Sequence, residues 1–372
     1  MDSFLRARAI IDLKAIAQNT VYVKKQIGEK TLCAVVKADA YGHGAKAVSS
    51  VCQKSGADYF AVAICEEGAE LRQNGVICPI LILGYTPDGL YGEVIENNLE
   101  QTVFSYEQAA GLSFAAAKKN KTANVHIKID TGMNRLGFLP NEKSLNEIIK
   151  ISRLKNLFIA GVYTHFAASD DADPYLTLAQ QKCFDDFSAR LSANGVCPKI
   201  IHAQNSGAII NYPDMPYNMA RCGILLYGLA PRAFEGANAL IPAMSLVSEI
   251  SGVKTIKKGA GVSYGHTFHA PRKMTVATVP VGYADGYPRL LSNKASVIVN
   301  GSLAPVIGNI TMDQTIIDVT GVKNAKEGDE AVLMGKRGNL EISADSLAEY
   351  ADTINYEIIC GIGKRIPRVY VN

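Results

Sequence analysis

Leu32-Cys33-Ala34-Val35-Val36-Lys37-Ala38-Asp39-Ala40-Tyr41-Gly42-His43-Gly44 is the stretch on which the reading of the fold turns. An apolar run ends in a lysine and passes into a glycine-rich turn. A lysine so placed sits at the mouth of a strand. Partial desolvation there lowers the ammonium pKa and favours the neutral amine, the form that condenses with an aldehyde. A lysine that snorkels from a strand end into water is the plain structural alternative.

Outward from this stretch, short apolar runs at 33–37, 59–63, 80–83, 101–104, 125–130, 158–164, 200–203 and 219–224 read as strands. Helical patterns lie between them at 45–54, 66–73, 90–97, 106–119, 145–152, 175–194 and 206–211. Such alternation predicts a parallel sheet, and eight units predict a closed TIM-type (β/α)8 barrel. The rival is an open doubly wound sheet, but no Gly-x-Gly-x-x-Gly marks the first turn.

Barrel enzymes gather functional residues at the C-terminal ends of their strands. Here Lys37 ends the first run, and His126, Lys128 and Asp130 occupy the fifth, which leads to Arg135. His165 ends the sixth, Asn205 and Ser206 follow the seventh, and Arg221, Cys222 and Gly223 close the eighth. Loops after strands seven and eight often bind phosphate; a hydroxyl at Ser206 and free backbone at Gly223-Ile224 suit that use. A helix cap at Ser206 and a simple turn at Gly223 are the structural alternatives.

After Leu229-Ala230-Pro231 the texture changes to β-rich runs at 244–255, 274–281, 295–299, 314–319 and 330–334, with one clear helix at 343–350. The expected architecture is therefore α/β plus all-β, with a barrel domain over 13–230 and a β-rich domain over 231–372. A length of 372 residues agrees with two domains.

Net charge is only +3 and no basic block with interleaved aromatics occurs, which argues against nucleic acid and membrane surfaces as partners. The longest apolar stretch, near 77–83, is too short to span a bilayer. MDSFLRARAIIDL lacks a signal-peptide core, so a cytoplasmic protein is expected. Eight scattered cysteines form no Cys-x-x-Cys pair; free thiols are expected, and no metal.

The strings VVKADAYGHG, KIDTGMNRLG, VYTHFA, AQNS and NMARCGILLYGL occur in this order and resemble the motifs of bacterial alanine racemases. So do Gly261-Val262-Ser263-Tyr264-Gly265, Val281-Gly282-Tyr283-Ala284-Asp285-Gly286-Tyr287, Met312-Asp313-Gln314 and Asn355-Tyr356-Glu357. The resemblance implies pyridoxal 5'-phosphate carried by Lys37 as a Schiff base. It implies cofactor contacts from Tyr41, Asn205, Ser206, Gly223, Ile224 and Tyr356. By resemblance, Arg221 would face the pyridine nitrogen and His165 would orient it. Arg135, Met312 and Asp313 serve the substrate, and Lys128 is the lysine often carbamylated in the family.

The resemblance also implies that Lys37 and Tyr264 are the two catalytic bases. By the same resemblance, Tyr264 would come from the neighbouring subunit of a homodimer with shared sites, and residues 1–12 would pair with the β-rich domain. The implied reaction interconverts L- and D-alanine for peptidoglycan. Serine or serine/alanine racemases of the glycopeptide-resistance type, and a non-catalytic pyridoxal phosphate-binding protein, are the alternatives. Tyr356 favours alanine over serine. One departure is visible: Asn309 stands where many relatives carry arginine.

Overall fold

The structure is a computed structural model that describes residues 6–231 and 239–372. Residues 232–238, just past the expected domain boundary, and the first five of the stretch 1–12 lie outside the described residues. Two compact units are distinguished: a barrel unit of Ile16–Ala40 and Ala45–Ile241, and a β-rich unit of the N-terminal residues to Ala15, Tyr41–Gly44 and Pro242–Asn372.

Strand β1 (Ala7–Asp12) belongs to the β-rich unit. The barrel consists of β2 (Thr31–Val35), β3 (Tyr59–Val62), β4 (Ile80–Ile82), β5 (Glu100–Val103), β6 (Ala123–Lys128), β7 (Leu157–Tyr163), β8 (Ile200–His202) and β9 (Met219–Cys222). They form a parallel sheet in the order β8-β7-β6-β5-β4-β3-β2-β9. The two ends of this sheet meet: Asn218 N donates to Ile201 O at 3.2 Å and Arg221 N to Gln204 O at 3.0 Å. Strands covered on both faces read as continuous apolar runs rather than alternating ones, which is why short runs such as Ile80–Ile82 are buried throughout. Side-chain caps start the helices that return the chain: Ser105 accepts from Gln108 N, Asn141 from Ser144 N and Asn205 from Ala208 N.

Two differences from the sequence reading bear on the site. The first strand stops at Val35, so Lys37 opens a turn instead of ending a strand. Ala38, Asp39, Ala40 and Tyr41 then follow one another at φ of 52°, 52°, 54° and 53°. Left-handed backbone costs L-residues roughly 1–2 kcal/mol each, so the run survives only because its groups are pinned. Ala40 N donates to Val36 O at 2.9 Å, Ala38 N to Glu67 Oε1 at 2.6 Å, and Ala45 N to Asp39 Oδ1 at 2.7 Å. The eighth strand likewise ends at Cys222, and Ile224–Tyr227 forms a 3-10 turn.

In the β-rich unit, β10 (Met244–Glu249) and β11 (Gly252–Ile256) are separate strands where one run was expected. β12 (Gly261–Val262), β13 (Phe268–His269), β14 (Met274–Val279), β15 (Ser296–Val299), β16 (Ser302–Pro305), β17 (Thr315–Asp318), β18 (Glu330–Arg337), β19 (Leu340–Ile342) and β20 (Arg368–Val371) complete it. The largest sheet runs β16-β15-β18-β10-β1-β20, with β19 paired to β18. Strand β1 lies antiparallel to β10 and parallel to β20. A second helix, Asn355–Gly361, follows the expected one at Ala344–Ala351. Among the described residues no helix is long and apolar enough to cross a membrane.

Candidate active site

The barrel brings five of the nominated residues together. Lys37, Lys128, Arg135, His165 and Arg221 lie close enough to perturb one another electrostatically. Lys128 is the last residue of β6 and is only 4% exposed; Arg221, in β9, is 3% exposed. Burial, helped by the guanidinium groups of Arg221 and Arg135, pushes Lys128 down to about 8. Burial and then Arg221 hold His165 well below the usual histidine range, so its imidazole is neutral at physiological pH. The Tyr163 ring lies near both cations, 5.3 Å from Lys128 Nζ and 5.1 Å from Arg221 Cζ, and offsets part of the cost of burying them.

Arg221 is held from several sides. Nη2 donates to Thr164 O at 2.9 Å, Ala203 O at 3.0 Å and His165 Nδ1 at 3.2 Å, while Nη1 donates to His202 Nδ1 at 2.9 Å. Asp130 shapes the loop that carries Arg135: it accepts from Gly132 N, Asn134 N and Arg135 N, each at 3.0 Å. After β8, Asn205 Oδ1 caps the helix Ser206–Asn211 and also accepts from Ser169 Oγ at 2.6 Å. Ser206 Oγ accepts from Gly223 N at 3.1 Å, tying the turn after β9 to the helix after β8. The nominated residues Asn205, Ser206, Gly223 and Ile224 are thus contiguous through hydrogen bonds and chain.

The remaining nominated residues belong to the β-rich unit. The Tyr41 and Tyr356 rings face each other with centroids 6.1 Å apart. Arg368 Nε donates to Gly42 O at 2.9 Å, holding the end of the left-handed turn. Asp313 pairs with Arg365 at 2.9 Å. Met312 O accepts from Ala284 N at 3.0 Å while its side chain is half exposed. Tyr264 is 75% exposed on a turn where Ser263, Gly265 and His266 all have positive φ. Asn309 braces that turn: its Nδ2 donates to Tyr264 O at 2.8 Å and its carbonyl accepts from Ser263 Oγ. The residue noted only as a departure from the family pattern therefore has a structural partner.

Sequence reasoning passed over Glu67, Glu100 and His202. Their signal was weak: one acid on a helix surface, one before an apolar run, and one histidine inside Ile200–His202.

Chemically, the barrel site gathers cationic side chains, with Lys128 and Arg221 buried, Lys37 half-buried and Arg135 exposed, together with the N–H groups that start the helix Ser206–Asn211. It suits a ligand carrying phosphate and carboxylate, with amine and imidazole groups at hand for proton transfer. Among the described residues no group of three or more His, Cys, Asp or Glu could hold a metal ion.

Comparison with known proteins agrees with this arrangement. Residues 11–231 match the model of the alanine racemase N-terminal domain, and residues 243–370 that of the alanine racemase C-terminal domain. Alanine racemase 1 of Clostridium acetobutylicum is 47% identical over 365 residues, covering 98% of this chain and 95% of the relative. The structure of the Clostridium difficile 630 alanine racemase superposes with a TM-score of 0.95 at 40% identity, over 99% of this chain and 96% of that one. The Bartonella henselae alanine racemase, solved with covalently bound pyridoxal phosphate, superposes with a TM-score of 0.88 at 30% identity, over 98% of this chain and 99% of that one. With both domain models matched in order and near-complete coverage in sequence and structure, the chain belongs to the alanine racemase family.

Proposed function

We propose that this chain is an alanine racemase that interconverts L-alanine and D-alanine with pyridoxal phosphate held covalently on Lys37. The observation that carries the reading is the gathering of Lys37, Lys128, Arg135, His165 and Arg221 in a chain of this family. The donor set fits the cofactor: a guanidinium for a pyridine nitrogen, N–H groups and hydroxyls for a phosphate, and a lysine for an aldehyde. When bound, pyridoxal phosphate supplies an electron-withdrawing ring that acidifies the substrate Cα–H.

The chain's own residues then divide the work. Arg221 binds the ring nitrogen, and because a guanidinium does not surrender its proton, the nitrogen stays unprotonated. His165 orients Arg221. Tyr41, Tyr356, Asn205, Ser206, Gly223 and Ile224 hold the phosphate. Arg135, the Met312 N–H and Asp313 serve the substrate carboxylate side. Racemisation needs a proton removed from one face of Cα and returned on the other, which two opposed bases accomplish. The Lys37 amine would be released for proton transfer when the substrate amine takes its place at the cofactor's aldehyde carbon; Tyr264 would then move the proton on the L face and Lys37 on the D face. Lys128, held low enough to populate its neutral amine, reacts with carbon dioxide through a new N–C bond and releases one proton to solvent, giving a carbamate that pairs with Arg135.

The working unit is a homodimer in which Tyr264 and Met312 complete the neighbour's site. Residues 13–230 act as the cofactor domain and 231–372 as the contributing domain, in the cytoplasm, supplying D-alanine for peptidoglycan. The test is racemisation of L-alanine and L-serine in parallel with the pyridoxal phosphate-loaded protein, compared as kcat/KM. A strong alanine preference is expected; equal or better serine turnover overturns the substrate assignment.

A further inference from the structure

Inside the barrel a chain of polar side chains leads away from Arg221. Arg221 Nη1 lies 2.9 Å from His202 Nδ1, His202 Nε2 lies 2.9 Å from His126 Nδ1, and His126 Nε2 lies 2.8 Å from Glu100 Oε2. The Tyr59 hydroxyl donates to the same Glu100 oxygen. His126 and His202 are fully buried. Tyr59 and Glu100 are the first residues of β3 and β5, whereas His202 is the last of β8. The chain therefore crosses the barrel from its N-terminal end toward the end that carries Lys128 and Arg221.

The two ends of this chain have fixed roles. Arginine can only donate, and a carboxylate can only accept. Between them only one proton order satisfies every link. Arg221 donates to His202 Nδ1, so His202 carries its proton on Nε2. That proton goes to His126 Nδ1, so His126 also carries its proton on Nε2 and gives it to Glu100. A second proton on either ring sets N–H against N–H. Burial, followed by the Arg221 charge, holds His202 well below the usual histidine range, which agrees with a neutral ring.

The barrel is shaped around the chain. A Cβ on Gly161 would come within 2.3 Å of His126 Nδ1, so β7 makes room for the imidazole by having no side chain there. The pairing of β6 with β7 also shifts register at Val125/His126. Tyr163 stacks on His202 with centroids 4.6 Å apart at 15°, and Thr102 Oγ1 holds the Tyr163 hydroxyl at 2.9 Å. Among the described residues no carboxylate pairs directly with Arg221, so Glu100 is the anion at the far end of its hydrogen-bond chain.

We propose that Glu100 is a positioning residue: through one proton order, Glu100–His126–His202 fixes the guanidinium of Arg221 from the opposite end of the barrel. The catalytic consequence rests on the reading that Arg221 faces the cofactor nitrogen; the proton order does not. The experiment is nitrogen-15 and proton NMR of the protein labelled at histidine, with and without pyridoxal phosphate. Two buried rings are expected with the proton on Nε2, and no second proton on His202 between pH 6 and 9. Glu100→Gln, which keeps shape and removes charge, is expected to speed exchange of the His126 Nε2 proton at least tenfold. It is also expected to lower kcat for alanine about tenfold with little change in KM. A proton on Nδ1 of either ring, or a doubly protonated ring in that range, overturns the proposal without touching the racemase reading. So does a Glu100→Gln protein whose imidazole signals and kcat match the wild type.

Discussion

The barrel unit and the β-rich unit hold their candidate functional side chains in opposite ways. In the barrel, Lys128 and Arg221 are buried, and Arg221 is braced by four hydrogen-bond partners. In the β-rich unit, Tyr264 and Met312 present exposed side chains on braced backbone. Buried charges must be satisfied in place, so Lys128 and Arg221 are organised before any ligand arrives. An exposed tyrosine on a strained turn has its backbone organised and its side chain free. Under the proposed homodimer, such an exposed side chain would be the one a second copy receives.

The largest effect expected is on turnover. Tyr264→Phe removes one proton-transfer group, and a loss of about 10²- to 10⁴-fold in kcat/KM is expected in both directions, since an equilibrium constant of one ties them, with pyridoxal phosphate still bound. Circular dichroism reads the racemisation and Cα–H exchange of each enantiomer in heavy water separates the two faces; undiminished racemisation and exchange would end the two-base assignment.

Next in size is Lys128. Its amine is held at about 8 in the fold against an ordinary 10.5, so between these values the unfolded chain binds more protons and stability rises with pH. In protein freed of carbon dioxide, Lys128→Met should therefore raise stability at pH 7 by on the order of 3 kcal/mol and abolish that rise. Urea unfolding at pH 7 and pH 10 reads both; a variant as pH-sensitive as the wild type breaks the contrast between the units. Supplying bicarbonate should restore stability to the wild type alone.

Glu67→Gln tests the turn at Lys37. Glu67 takes Ala38 N on one oxygen and Ala63 N at 2.8 Å on the other, and an amide can serve only one of them. A loss of about 1–3 kcal/mol is expected, with weaker retention of pyridoxal phosphate. Unfolding curves and the cofactor dissociation rate check it, and wild-type retention would show that the left-handed run holds without this brace. The smallest effect belongs to Asn309→Ala, which removes one bond to the Tyr264 turn and should cost about 0.5–1.5 kcal/mol. A few-fold drop in kcat with unchanged KM is the expected sign; a change in KM alone would return Asn309 to a role in access.

Much of the fold was legible because parallel barrel strands are short apolar runs between amphipathic helices, and eight such runs with seven helical patterns between them could be read in order. The β-rich half was read less well. Its β12, β13, β16, β19 and β20 are short and partly exposed, so their period is faint, and the helix Asn355–Gly361 was passed over beside the clearer one. In the site, nominated residues stood out when they ended strands or sat in dense motifs. Glu100, His126 and His202 did not stand out as a set, because three separate strands carry them.

By itself the sequence determined the βα alternation, the change of texture after Pro231, and the motif lysine, since apolar period and turn chemistry are local properties. Only the tertiary structure decided that Lys37 opens a left-handed turn. Four consecutive positive-φ residues, including two alanines, run against local preference and persist only through partners such as Glu67, distant in the chain. The tertiary structure likewise decided that one guanidinium, two imidazoles and a carboxylate form a single chain. Proton order depends on which donor meets which acceptor, and those meetings exist only once the strands have closed around them.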